Sequence, residues 1–409
     1  MRNVTIGVGG SSRDRELSRL TSIRGEAKAI AVEEYQSRVA KAQGLMRRHG
    51  IDALYLDAST SLAYFTGARF WASERLHGAL IPARGDPVYV VPAFEEAKTR
   101  TMLLFGNDVR VWEEHEDPCA LVIETLRSLG HASGTVGIDE MTPFFTFDGL
   151  RRAGNSYDFV NGSLISAPCR RCKSNAEIAL LQTAKNITLR AHQAAAACLE
   201  PGITTTQVAE FLAEAHRRLG CDGALSFCIV LFGEPTAYPH GVPYPQTLSE
   251  GDMVLIDVGA TVEGYHSDIT RSYVYGEPTP RQREVWNVEK AAQQAAFAAA
   301  QLGVECEMID AAARRIIEQA GFGPGYALPG LPHRTGHGIG LDVHEWSYLV
   351  KGDKTPLAPG MCFSNEPMIC LYGEFGVRLE DHFYMTEDGP RWFTEPSYSI
   401  DDPFGLQRT

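Results

Sequence analysis

"VLIDVGATVEGYHSDITR", residues 254–271, carries two aspartates, Asp257 and Asp268, in apolar flanks on either side of a turn-like centre. Apolar and β-branched flanks around a central glycine read as a β-hairpin. With 261–264 as a four-residue loop, Ala260 pairs with Tyr265, and Asp257 falls opposite Asp268 with Cβ atoms about 5 Å apart. Like charges facing each other across a ladder destabilise it, so the hairpin calls for a compensating cation. A second stretch, "SNEPMICLYGEFGVRLEDHF" at 364–383, repeats the theme. Its Glu366 and Glu380 are symmetric about Gly373, so a turn there brings them face to face.

Between the hairpins lies "PHRTGHGIGLDVHEW", 332–346, with His333, His337 and His344 among glycines. Tyr348 stands where the zinc-protease helix pattern needs a second histidine, and glycines at alternate positions oppose a helix. The stretch reads as extended backbone whose histidines find partners elsewhere. Four carboxylates and one imidazole make a ligand set for two divalent ions sharing bridging carboxylates, and the charges balance.

Outward from the hairpins the pattern repeats. Ser174 and Glu177 form a capping box for a helix to about 199, and a second helix covers 206–219. A strand at 227–232 and the first hairpin, 253–275, follow. A second helix pair, 280–302 and 307–320, precedes the second hairpin pattern at 361–385. Two rounds of helix pair plus hairpin suggest an internal duplication. Before 168 the texture differs: a helix at 33–49, strands at 51–56, 79–82, 88–91, 109–112 and 135–138, and a helix at 118–129 make an α/β domain. The expected domains are therefore 1–168, α/β, and 169–409, α+β.

A net charge of -13 over 409 residues argues against nucleic-acid and acidic-membrane partners. No apolar run reaches the length of a membrane span, and the first thirty residues lack the apolar core of a signal peptide. Nine dispersed cysteines, Cys169 and Cys172 included, read as reduced thiols in a cytoplasmic protein.

The set "PHG…DVGATVEGYHSDITR…PHRTGHGIGLDVHE…SNEPMI…GVRLED" resembles the pita-bread metallopeptidases, the group of methionine aminopeptidase, aminopeptidase P and prolidase. It is most similar to the compact bacterial Xaa-Pro dipeptidases. The region before 168 is similar to the family's creatinase-type domain, with "WASER" and "WEEHEDP" as its less specific marks. The resemblance implies that Asp257 binds one metal, that His337 and Glu366 bind the other, and that Asp268 and Glu380 bridge both. It implies a shared hydroxide as nucleophile and Glu366 as proton shuttle. His240 and His344 match histidines that contact the scissile carbonyl and the tetrahedral intermediate. His333 and Arg378 match positions near the substrate's C-terminal side. The expected ions are manganese, with cobalt or zinc as substitutes, and the expected partners are a small peptide substrate and a second subunit in a homodimer. Trp71 reads as a packing residue, with a partner subunit's site as the alternative. Aminopeptidase P, or a same-fold hydrolase or lyase of a small osmolyte such as ectoine hydrolase, stays open beside the dipeptidase. A non-catalytic module on this fold would be expected to lose ligands, and none is missing.

Overall fold

The computed structural model describes residues 5–407, so the outermost residues of both expected domains lie outside the description. The chain divides into two compact units. One runs from Ile30 to Arg170; the other joins Arg171 onward with the segment before Ile30. The polar opening segment thus belongs with the second unit, not with the first as its position suggested. The reason is local. Backbone N–H groups of Gly9 and Ser11 donate to the carbonyls of Ala196 and Ala197, at 2.8 and 3.0 Å, and Leu17 is buried.

The first unit is built on a six-stranded sheet. Its strands are β1 (Ala53–Leu56), β2 (Gly78–Pro82), β3 (Val88–Pro92), β4 (Asp108–Trp112), β5 (Gly134–Ile138) and β6 (Tyr157–Asn161), in the order β4-β3-β2-β1-β5-β6. Gly50, at φ 66°, ends the helix Val32–His49, and the Asp117 side chain caps Pro118–Ser128. Tyr55, Leu80, Val90, Trp112, Val122 and Val136 share one core. The helix Phe144–Ala153 went unread because its leading aromatics point outward: Phe144 is 78 % exposed. Trp71 is 86 % exposed and does not pack, since it lies in irregular backbone ahead of β2.

The second unit repeats its plan. The helices Asn175–Ala197 and Thr205–Leu219 precede β7 (Phe227–Phe232), β8 (Met253–Gly259), β9 (Thr261–Val262), β10 (Tyr265–His266) and β11 (Ile269–Val274). The helices Pro280–Ala299 and Cys306–Gln319 precede β12 (Gly336–Gly338), β13 (Glu345–Leu349), β14 (Cys362–Asn365), β15 (Met368–Leu371), β16 (Phe375–Arg378), β17 (Asp381–Thr386) and β18 (Gly389–Trp392). Capping boxes open three of the four helices, at Ser174, Thr204 and Thr279, each satisfying two otherwise unpaired N–H groups. The sheets are β11-β8-β7 and β13-β12-β14-β17-β18, with β15-β16 and β9-β10 as separate pairs. A core of Leu255, Trp286, Ile309, Phe363, Val377 and Phe383 links strands to helices.

The first hairpin's register differs from expectation. Val262 pairs with Tyr265, so the turn is the two residues Glu263 and Gly264, both at positive φ (50° and 74°). That is the twist-matched turn of tight hairpins. Asp257 consequently faces Thr270, not Asp268. The slip is two residues, and side chains alternate with period two, so both aspartates still project from one face. In the second hairpin Met368 faces Arg378 and Leu371 faces Phe375, a register that, continued two residues beyond the ladder, sets Glu366 opposite Glu380.

Candidate metal centre

Two of the carboxylates stand where regular pairing stops, whereas Asp257 sits within the β8 ladder. Glu366 lies between β14 and β15, and Glu380 between β16 and β17. Backbone bonds fix both: Glu366 N–H donates to Thr335 O at 2.8 Å and Glu380 N–H to Thr270 O at 3.1 Å. Arg271, fully buried, donates to the Glu380 carbonyl at 2.9 Å and to Asp381 Oδ1 at 2.7 Å, tying one hairpin to the other.

The glycines of the histidine-rich stretch allow close approach, not unusual dihedrals. A Cβ on Gly336 would lie 2.1 Å from Ser364 O, and one on Gly338 would lie 2.7 Å from Glu345 O. The packed backbone places His337 beside Ser364, whose hydroxyl accepts from His337 N–H at 2.8 Å and donates to Glu366 Oε1 at 3.0 Å. His337 Nδ1–H donates to Gly338 O at 3.0 Å, which leaves Nε2 facing Glu366 Oε1 at 3.1 Å and Asp268 Oδ2 at 3.6 Å. Two acceptors that close need a proton or a cation between them. Glu345 serves the backbone instead: it accepts from the N–H groups of Leu341 and Asp342 and pairs with Lys173 at 2.8 Å.

All nine residues read from the sequence, namely His240, Asp257, Asp268, His333, His337, His344, Glu366, Arg378 and Glu380, line one cavity of about 710 Å³. His337 and His344 have ring centroids 4.1 Å apart. Burial pushes Asp268 and Glu380 well above the ordinary carboxylate range, and their mutual repulsion with Asp257 and Glu366 adds to it. Asp257 is raised as well by burial, although Arg378 opposes this. Glu366 goes the other way: against burial, His337 holds it down to about 2. Environments that drive neighbouring carboxyls apart in this way assign different roles to them.

Three buried oxygens in this cluster, Asp257 Oδ1, Asp268 Oδ1 and Glu380 Oε1, have no hydrogen-bond partner. Unpaired buried carboxylate oxygens are costly unless a cation meets them. The residues therefore fit divalent ions. Each of two triads, His337, Glu366 and Glu380, and Asp268, Glu380 and His382, has ligand atoms within 4.8 Å of one another, and Glu380 is common to both.

Arg378 meets the cluster from one side. Its Nη2 donates to Asp257 Oδ2 at 2.6 Å, Nε to Thr270 Oγ1 at 3.1 Å and Nη1 to Pro239 O at 3.0 Å. Every guanidinium nitrogen has an acceptor, so the side chain orients a carboxylate. Two residues went unread. Arg334 lines the cavity with its guanidinium 4.3 Å over the Tyr348 ring, and no sequence motif marks it. His382 sits behind the carboxylates, fully buried. Only its alternation with Glu380 in the sequence could have marked it.

Known proteins resemble this chain over most of its length. The model of metallopeptidase family M24 matches residues 179–387, and that of the creatinase/prolidase N-terminal domain matches 38–172. The chain is 36 % identical over 360 residues to a probable dipeptidase PepE of Mycobacterium tuberculosis, covering 87 % of this chain and 93 % of that one. It is 33 % identical to an Xaa-Pro dipeptidase of Lactobacillus delbrueckii subsp. lactis, over 88 % of this chain and 97 % of the other. The crystal structure of dipeptidase PepE from Mycobacterium ulcerans superposes with a TM-score of 0.84 at 35 % identity, covering 90 % of this chain and 97 % of that one. A creatinase-type domain followed by a duplicated pita-bread unit, with its carboxylates and histidines gathered in one cavity, makes this chain a hydrolase of metallopeptidase family M24.

Proposed function

We propose that the chain is a metal-dependent Xaa-Pro dipeptidase with a dinuclear centre. The observation that carries this is the cluster of Asp257, Asp268, Glu366 and Glu380 around His337, with three buried oxygens unpaired. Those five residues would hold two divalent ions. With four oxygen donors to one nitrogen, manganese is the expected metal, and cobalt or zinc would substitute. When bound, such a pair lowers the pKa of a shared water to near neutrality and polarises the scissile carbonyl.

The protein's own groups do the rest. Glu366, ionised at neutral pH, accepts the proton of the attacking water and returns it to the imino nitrogen of the leaving proline. His240 and His344, at the cavity mouth, meet the carbonyl oxygen as charge develops on it. Proline offers no N–H, so shape must recognise its ring, and Phe227, Ile229, Pro332 and Val343 supply apolar wall. A dipeptide's free carboxylate needs a cation. Arg378 is engaged by Asp257, whereas Arg334 lines the cavity beside His333, whose Nε2 is unpaired. Arg334 is therefore assigned the carboxylate. Nine free cysteines support a reducing, cytoplasmic setting.

The test compares kcat/KM for Ala-Pro and Ala-Pro-Ala. The dipeptide is expected to be better by at least about tenfold, a difference of about 1.4 kcal/mol. Equal or better turnover of the tripeptide moves the protein to the aminopeptidase P activity.

A further inference from the structure

His382 lies on β17, two residues beyond Glu380, and side-chain alternation sends both toward the same face. Its ladder partner is Ser364, the residue that holds His337 and Glu366 in place. The imidazole has no exposed surface, and neither ring nitrogen makes a hydrogen bond of good geometry, the Asp268 backbone offering only a weaker one. A buried imidazole whose nitrogens lack good partners is destabilising unless something else meets them. Nothing in the roles given above uses this residue. Yet one of its nitrogens and one carboxylate oxygen each from Asp268 and Glu380 lie within 4.8 Å of one another. Ligands around one divalent ion, at bonds of about 2.0–2.2 Å, stand roughly 3 to 4 Å apart, so a small contraction closes the triad on an ion.

We propose that His382 is a metal ligand in its own right, completing with Asp268 and Glu380 the ion position that His337 does not serve. The assignment rests on the dinuclear centre proposed above and adds a second nitrogen donor to it. An imidazole is a borderline ligand among hard oxygens, so this position should favour cobalt and zinc over manganese more than an all-oxygen site would.

The test is calorimetric titration of chelator-stripped protein with manganese and, separately, with zinc, for wild type and His382→Gln. Wild type should take up two ions per chain. In the variant one of the two affinities should fall by at least about tenfold, more for zinc than for manganese, while the other site is unchanged. Two ions in both proteins at equal affinity would overturn the role of His382 and leave the dinuclear centre standing. No uptake by wild type would overturn both. Should the variant fail to fold, crystals of zinc-loaded wild type decide the matter: a zinc–nitrogen distance of about 2.0–2.2 Å to His382 supports the assignment, and one beyond about 3 Å rejects it.

Discussion

Asp268 and His344 line the same cavity and should behave as different kinds of residue. Asp268 is buried among three other carboxylates and has an oxygen with no partner, so its charge matters for holding ions. Asp268→Asn keeps the size, removes that charge, and is expected to abolish both metal uptake and turnover. His344 lines the cavity beside buried His337 but is itself exposed. His344→Ala should leave two ions bound and lower kcat by about 10²–10³-fold, the cost of losing one donor to a developing oxyanion. Elemental analysis beside kinetics separates them, and the roles are wrong if His344→Ala loses metal as completely as Asp268→Asn. At this scale the sequence was legible wherever a carboxylate or histidine sat in a recognisable motif. Arg334 and His382 were not legible, because what marks them is a cavity wall and a buried ring without good partners, neither of which has a sequence pattern.

Elements transmit that residue chemistry. Arg271 on β11 and Asp381 on β17 form an ion pair with no solvent exposure, and Gln293 on the helix Pro280–Ala299 donates to the same carboxylate at 3.1 Å. Removing one partner leaves a charge buried without compensation. Arg271→Met is therefore expected to destabilise the protein by about 3–5 kcal/mol, whereas Arg271→Met with Asp381→Asn should recover part of that loss. Urea unfolding of the two variants checks this; a single variant within about 1 kcal/mol of wild type would contradict it. The helices were legible because capping boxes and C-terminal glycines are local chemistry, as at Ser174 and Gly220. Register was less so. The turn at Glu263 and Gly264 holds two residues where four were expected, and only the backbone dihedrals decide between them. The site survived the error because a slip of two keeps Asp257 and Asp268 on one face.

For the whole molecule, the raised carboxyls tie stability to pH and metal. Asp268 and Glu380 bind protons in the folded protein at pH values where the unfolded chain has released them. Their contribution to the metal-free fold is full below the ordinary carboxylate range and is lost as pH rises through the folded values. Divalent ions displace those protons, so ion stabilisation grows with pH. The gap in Tm between manganese-loaded and chelated protein should widen from about pH 6 to about pH 8. Buried His192 and His216, held down to about 3 and about 4 chiefly by burial, act in the opposite sense, losing stability as pH falls below the histidine range. They do so equally with and without metal and cancel from the gap. A gap that narrows with pH would mean that the carboxyls are not where the ions bind. The most direct single measurement is release of free proline from Ala-Pro by chelator-stripped protein as manganese is added back. Activity should be absent at the start, rise with metal, and level off near two ions per chain. Full proline release from protein shown by elemental analysis to hold no divalent transition metal, or none at two bound ions, would contradict the account.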